Sequence, residues 1–261
     1  MKKFTHYVIS AKDVLSRRNA IKEQFSRWGL VPNFFDAIMG YEISKEQLEE
    51  YSEADNLLTL GEIGCALSHL GTYRRLLDTE EKCAFIFEDD TCLTEEFIAV
   101  QPKIYHFMAE QTMPSVLLLY PIRGHKKKLL TIGRDISIMR CLAGSGAYAY
   151  VLNRQAAINL LRAQTPVKIE MDAWGIYQRM GFVDLYCLNK PVILLDKVLN
   201  DDSIIDKISD RRAIDRNNAS FLKKRIVKSW YDHFTIKEKM KFYKRRISRH
   251  IKELYYDDSE K

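Results

Sequence analysis

The chain has 261 residues, 46% hydrophobic and 29% charged, with 41 Lys and Arg against 35 Asp and Glu for a net charge of +6. Such proportions are those of a globular protein and exclude disorder along most of the length. No apolar run approaches the ~20 residues that span a bilayer. Charges at Lys12, Asp13, Arg17 and Arg18 follow residues 4–10 too closely for a secretory signal, so the protein is expected to stay in the cytosol.

Residues 4–10 read as a first strand, followed by Val14, Ile21, Phe25 and Trp28 at helical spacing and by Gly29 where a left-handed cap belongs. A second strand is expected over 33–38, a short helix over 44–51, and a longer helix over 62–77 that buries Ile63, Leu67, Leu70 and Leu77. Residues 83–87 form a strand apolar on both faces that runs directly into Glu88, Asp89 and Asp90. Thr94 is the expected N-cap of a helix reaching about residue 108, and Asn153 that of a helix over 154–163. Further strands are expected over 116–120, 146–152, 182–188 and 192–195, with a loop or hairpin over 124–139. The alternation of strands and helices predicts an α/β fold with a Rossmann-like, largely parallel sheet whose ligands collect beyond the carboxyl ends of its strands. One domain is expected over 1–205 and a basic helical extension over 206–261. Five scattered cysteines, Cys65, Cys83, Cys92, Cys141 and Cys187, lack CxxC spacing and predict free thiols.

The positive charge is concentrated in the extension. Residues 221–252 hold twelve Lys and Arg against Asp232 and Glu238. Apolar residues there fall at Leu222, Ile226, Trp230 and Phe234, then at Met240, Tyr243, Ile247, Ile251 and Leu254, which makes two amphipathic helices. Either the apolar stripe enters the headgroup layer of an anionic membrane while the cations meet lipid, or it packs on the body and the charges are merely solvated. No nucleic-acid recognition motif accompanies the basic stretch, so nucleic acid is not an expected partner.

Three acids at the end of a buried strand call for a cation, because an unpaired charge in such a place is costly. Strand alternation sends Glu88 and Asp90 to one side and Asp89 to the other. Oxygen donors of this kind suit Mn²⁺ or Mg²⁺ bridging to substrate phosphates. Otherwise the cluster simply favours the dipole of the helix that follows Thr94.

Four segments together resemble glycosyltransferase family 25, whose bacterial members build lipooligosaccharide. They are Tyr7-Val-Ile-Ser10 with Arg17-Arg18 downstream, Gly61-Glu-Ile-Gly-Cys-Ala-Leu-Ser-His-Leu70, Glu88-Asp89-Asp90, and Gly144-Ser-Gly-Ala-Tyr-Ala-Tyr150. The resemblance covers roughly residues 4–205 and implies a GT-A-like fold, a nucleotide-sugar donor, commonly UDP-galactose, and inversion at the anomeric carbon. By position, Asp90 would be the main ligand of Mn²⁺ or Mg²⁺, and Glu88 would touch the metal or the donor ribose in a Glu-x-Asp variant of the usual Asp-x-Asp motif. Ile9, Ser10, Arg17 and Arg18 would line the nucleotide. Glu62, Ser68 and His69 would face the donor, Gly61 and Gly64 would make a tight entry to their helix, and Asp89 would border the same site. Gly144, Ala147 and Tyr148 would let backbone approach the donor sugar.

Inversion also needs a group to take the acceptor hydroxyl's proton. Asp172 is the first candidate, beside Trp174, whose ring would meet the acceptor sugar, and Glu170 is its rival. Asp201 and Asp202 would complete the site. The expected activity is transfer of a hexose, most simply galactose, from a UDP-sugar to a lipooligosaccharide acceptor at the inner face of the cytoplasmic membrane. A nucleotidyl or phosphoryl transferase would call for a Gly-rich phosphate loop that the chain lacks, and a non-catalytic membrane adaptor would leave the acids unexplained.

Overall fold

The computed structural model describes residues 4–53, 58–124, 126–196 and 216–255. The element order is β1 (His6–Ser10), α1 (Leu15–Arg27), β2 (Asn33–Asp36), α2 (Lys45–Tyr51), α3 (Leu60–Leu77), β3 (Cys83–Glu88), β4 (Thr91–Leu93), α4 (Glu95–Ala109) and β5 (Ser115–Leu118). It continues with β6 (Lys126–Gly133), β7 (Ile136–Cys141), β8 (Ala149–Asn153), α5 (Arg154–Ala163), α6 (Trp174–Met180), β9 (Asp184–Leu188), β10 (Ile193–Leu195), α7 (Arg216–Asp232) and α8 (Ile236–Tyr255). Thr94 and Asn153 cap α4 and α5 as their positions predict, and Gly29 takes φ +65° after α1. Neither β4 nor α6 is anticipated by the sequence pattern.

Eight strands form one sheet in the order β2-β1-β3-β8-β5-β9-β7-β6. Six of them run the same way, and β8 and β7 run against them, so the sheet is largely parallel in direction but mixed in pairing. The segment over 192–195 stays outside this sheet, because β10 pairs with β4 in a two-stranded antiparallel ladder. The reversal of β8 decides where the site lies. A strand entering against its neighbours starts at their carboxyl edge, so residues 142–148, which lead into it, cross the end of the sheet where the acids emerge. The Glu88 amide accordingly donates to Tyr148 O at 2.8 Å. The strand expected from residue 146 begins only at Ala149, because Gly146 sits at φ +81°.

Phe25, Phe85, Phe87 and Phe97 are fully buried between β3, α1 and α4, with His6 among them. The His6 ring stacks on Phe85 at 5.1 Å, and its Nε2 lies 3.1 Å from Gln101 Oε1. In α3 it is Leu76 that is fully buried, with the expected Leu77 only half-buried one position further round the helix. The cysteines are free thiols.

The extension packs on the body through one face. In α7, Ile226 and Trp230 are buried, the Trp230 indole N–H donates to Ala163 O at 3.1 Å, and Phe182 meets its ring edge-on at 5.2 Å. In α8, Arg245 reaches Asp184 at 2.9 Å and Arg249 donates to Leu142 O at 2.8 Å. The Met240, Tyr243, Ile247 and Ile251 stripe faces the other way and is more than half exposed throughout. Self-packing therefore accounts for α7 and one face of α8, and leaves the stripe of α8 uncovered.

Burial lowers the pKa of His6 from 6.5 to about 4, so between those values the unfolded chain binds a proton that the fold rejects. Stability is full above about pH 6.5 and falls as the pH drops toward 4, by on the order of 1 kcal/mol per unit. Urea unfolding at pH 7 and pH 5 should give the lower midpoint at pH 5, and His6→Gln should narrow that gap.

Candidate active site

The site starts from β3. Residues 84–87 are completely buried, and the strand ends at Glu88 on the carboxyl edge of the sheet. Asp89 and Asp90 form the turn into β4, which the Thr91 hydroxyl closes by donating to Glu88 O at 2.8 Å. Strand alternation consequently stops at Glu88, and the turn sets where Asp89 and Asp90 stand.

Each carboxylate has its own environment. Asp89 is buried and takes a guanidinium N–H of Arg17 at 2.8 Å, with both side chains 9% exposed. Arg17 and Asp89 both border the cleft, but this bond is internal, so Asp89 offers the donor less than expected. Glu88 Oε1 lies 3.3 Å from Nε2 of the fully buried His69. His69 Nδ1 is 2.7 Å from the Tyr150 hydroxyl, itself 2.7 Å from that of Tyr73. Burial holds both phenols above their ordinary pKa and hence protonated, which supports one consistent direction of donation from Tyr73 through Tyr150 to His69 and on to Glu88. Asp90 is different. Its Oδ1 is buried with no hydrogen-bond partner, and burial, then the charges of Glu88 and Asp89, push its pKa up to about 7. A carboxylate crowded by carboxylates and short of a donor fits a divalent cation, and its hard oxygen suits Mn²⁺ or Mg²⁺.

A cleft opens over these acids, bordered by Ile9 and Ser10 of β1, by the turn after β2, and by Gly61, Cys65, Ser68 and His69 of α3. Glycine makes the close fit of that turn against α3. A Cβ on Gly64 would lie 2.3 Å from Ile38 O, and one on Gly40 1.8 Å from Leu60 O. Gly64 thus serves packing against the 38–40 turn and not entry to the helix, which begins at Leu60 under a Thr59 cap. Ser68 is spent on the same packing, since it accepts the Ile38 amide at 2.8 Å and donates to Gly64 O at 2.7 Å. Cys65 is the residue that reading by motif overlooked. Its i, i+4 spacing to His69 was the available signal, and the ligand atoms of Cys65, His69 and Glu88 lie within 4.8 Å of one another.

Several expected donor contacts belong elsewhere. Arg18 is a strut for the first strand, donating to Ser10 O at 2.8 Å, Ala11 O at 3.1 Å and Asp36 at 2.5 Å. Glu62 completes the capping box of α3 with Thr59 and does not border the cleft. Gly144 is small because Leu118 and Leu185 crowd it, each 3.1 Å from where a Cβ would stand, and Ala147 is buried. Tyr148 does reach the site: it stacks on Tyr120 at 4.0 Å, and burial and then the charge of Asp90 raise its pKa.

The second group of candidates meets the first through Gly146. Tyr120 donates to Gly146 O at 2.5 Å, and the Trp174 indole N–H donates to the same oxygen at 2.6 Å. The Gly146 amide donates to Asp172 Oδ2 at 2.8 Å. Trp174 is fully buried between Tyr150 and Tyr177, so its ring has no face for an acceptor sugar, contrary to expectation. Asp172 and Glu170 border a second opening of about 420 Å³, where Glu170 Oε1 pairs with Lys223 at 2.7 Å and its buried Oε2 has no partner. Burial first, with the charges of Tyr148, Glu88 and Asp172 among the further causes, holds the Tyr120 phenol well above its ordinary pKa. Asp201 and Asp202 lie outside the described residues.

Removing one partner of the buried Arg17–Asp89 pair leaves the other charge unanswered. Arg17→Met is expected to lose about 3–5 kcal/mol in urea unfolding. The double variant Arg17→Met/Asp89→Leu should recover most of it.

The family model described as "Glycosyltransferase family 25 (LPS biosynthesis protein)" matches residues 3–174. The lipooligosaccharide biosynthesis protein lic2B of Haemophilus influenzae is 32% identical over 94 residues, 34% of this chain and 35% of its own length. A second Haemophilus influenzae protein is 35% identical over 99 residues, 34% of this chain and 33% of its own length. A glycosyltransferase 25 family member of Drosophila pseudoobscura is 25% identical over 174 residues, 62% of this chain and 28% of its own length. The matches thus span about a third or less of these relatives. The family match runs from β1 through the α3 block and the acidic strand end to Trp174, and the chain belongs to glycosyltransferase family 25.

Proposed function

We propose that the cleft over β3 is the donor site of an inverting, metal-dependent glycosyltransferase with a GT-A-type fold. It would move a hexose, galactose in the first instance, from a UDP-sugar to a lipooligosaccharide acceptor. The observation that carries this reading is the buried, unpartnered Oδ1 of Asp90 beside Glu88, at the ligand-binding edge of the sheet. Held by Asp90 and Glu88, Mn²⁺ or Mg²⁺ would supply positive charge against the departing diphosphate. His69, fixed through Tyr150 and Tyr73, orients Glu88, and the Arg17–Asp89 pair anchors the turn that carries Asp90. Ile9, Ser10, Gly61 and Cys65 would border the nucleotide.

For the proton, Asp172 remains the first candidate base. The Gly146 amide fixes one of its oxygens, and it borders the second opening. Glu170 is bound to Lys223 and is the weaker choice.

UDP release from UDP-galactose in the presence of a lipooligosaccharide acceptor tests the reading. It should require Mn²⁺ or Mg²⁺ and should fall by roughly 10²-fold or more in Asp90→Asn. The unfolding midpoint of this variant should hold or rise, because the substitution removes a repelled carboxyl group. Metal-independent release by the wild type would refute the metal assignment.

We further propose that the protein works at the cytoplasmic face of an anionic membrane, with α8 lying flat on it. The exposed stripe of Met240, Tyr243, Ile247 and Ile251 points away from the body, and Lys237, Lys241 and Lys244 on one side and Lys239 on the other flank it. Each cation near such a surface contributes ~1 kcal/mol. Sedimentation with phosphatidylglycerol vesicles at low salt should show roughly tenfold weaker binding for Met240→Asp/Ile247→Asp. Unchanged binding would remove the membrane reading.

A further inference from the structure

A cavity of about 810 Å³ lies between α6, α7 and α8, on the side of α8 opposite its exposed apolar stripe. Arg179, Lys223, Lys224, Arg245, Arg246 and Arg249 line it, and no acid stands among its described lining residues. Ile176, Val227 and Phe242 supply apolar wall.

Three of these cations are answered within the fold. Lys223 pairs with Glu170 at 2.7 Å, Arg245 with Asp184 at 2.9 Å, and Arg249 donates to Leu142 O at 2.8 Å. Arg179, Lys224 and Arg246 make no ion pair among the described residues. Arg179 and Arg249 both line the cavity, and burial first, then the charge of Arg249, depress the pKa of Arg179. Such an arrangement is unfavourable until an anion enters, and forked guanidinium donors match phosphate oxygens.

The cavity has a direction. It shares Ile176, Arg179, Lys223 and Arg249 with the opening of about 420 Å³ that Asp172 borders. A ligand seated among the arginines would therefore extend toward the candidate base.

We infer that the α6–α7–α8 cavity binds a phosphate group of the acceptor glycan and so aims an acceptor hydroxyl at Asp172. The inference rests on the transferase reading and adds the acceptor's chemical class, a phosphorylated oligosaccharide. A lipid phosphate would offer the same chemistry, but the apolar stripe of α8 lies on its other face, which turns the cavity away from a bilayer that α8 rests on.

Calorimetric titration of the full chain with deacylated lipooligosaccharide core, before and after chemical removal of its phosphates, tests this without relying on turnover. The phosphorylated core should bind at least tenfold more tightly, and Arg179→Gln/Arg246→Gln should abolish that difference while the affinity for UDP-galactose stays as the control of folding. Equal binding of the two cores by the wild type overturns the inference whether or not the variant folds. Loss of the phosphorylated core's binding on addition of phosphatidylglycerol vesicles would assign the cavity to a lipid headgroup and would also overturn it. UDP release at the same acceptor KM with both cores would refute the cavity's role and spare the transferase. Phosphate-dependent binding with no UDP release would do the reverse.

Discussion

The unanswered charge of Asp90 organises the structure around it. A strand with no polar side chain between residues 84 and 87 carries the chain out of the core, and the turn beyond it confines three carboxylates. Two of them find partners: Arg17 answers Asp89, and His69 answers Glu88. The third is left with a buried oxygen that has no donor and a pKa of about 7, raised by burial and by its neighbours. A fold tolerates that disposition where a ligand relieves it, because the cost of a desolvated carboxylate is recovered when a cation binds. The rigid surroundings matter as much as the acid. The aromatic cluster under β3, the tyrosine and histidine relay, and the close approach of α3 to the 38–40 turn all limit how far the turn can relax.

The reversed strand β8 joins the two halves of the site. Because it enters the sheet from the carboxyl edge, its preceding segment places Tyr148 beside Glu88 and holds Gly146 between Tyr120, Trp174 and Asp172. Trp174 thereby acts as a clamp inside the protein instead of a platform for sugar. Its burial is the reason Asp172 has a fixed position, since the same glycine receives the indole through its carbonyl and gives its amide to the carboxylate. The cleft over β3 and the second opening are thus joined through the segment that leads into β8.

The basic extension shows how one helix serves two surroundings. Its inward face is joined to the body through Arg245 and Arg249, and its outward face carries apolar side chains that the protein leaves uncovered. The charges on the two sides have different work. Those flanking the stripe stand beside its apolar side chains, while those around the α6–α7–α8 cavity gather with no acid among its described lining residues. Net charge alone, which is the same property in both places, does not separate them.

Much of this protein was legible in its residues. The apolar run ending in Glu88, Asp89 and Asp90 identifies the buried strand and the chemistry at its end, and Thr94, Asn153 and Gly29 mark helix boundaries, because these signals depend only on neighbours along the chain. The segment around Gly61–Leu70 likewise marks the cleft, where Gly61, Ser68 and His69 all stand. Which of those side chains is free to act is a different matter. Arg18 and Glu62 turn out to be a strut and a cap, Ser68 and Gly64 serve packing, Trp174 is sealed in the core, and Cys65 joins His69 and Glu88. No local pattern carries that information, because a polar group is spent or spared according to partners brought to it from distant parts of the chain. The split between the packed and exposed faces of α8 has the same origin. Periodicity makes a helix amphipathic, but only the surface against which it docks decides which apolar residues remain uncovered.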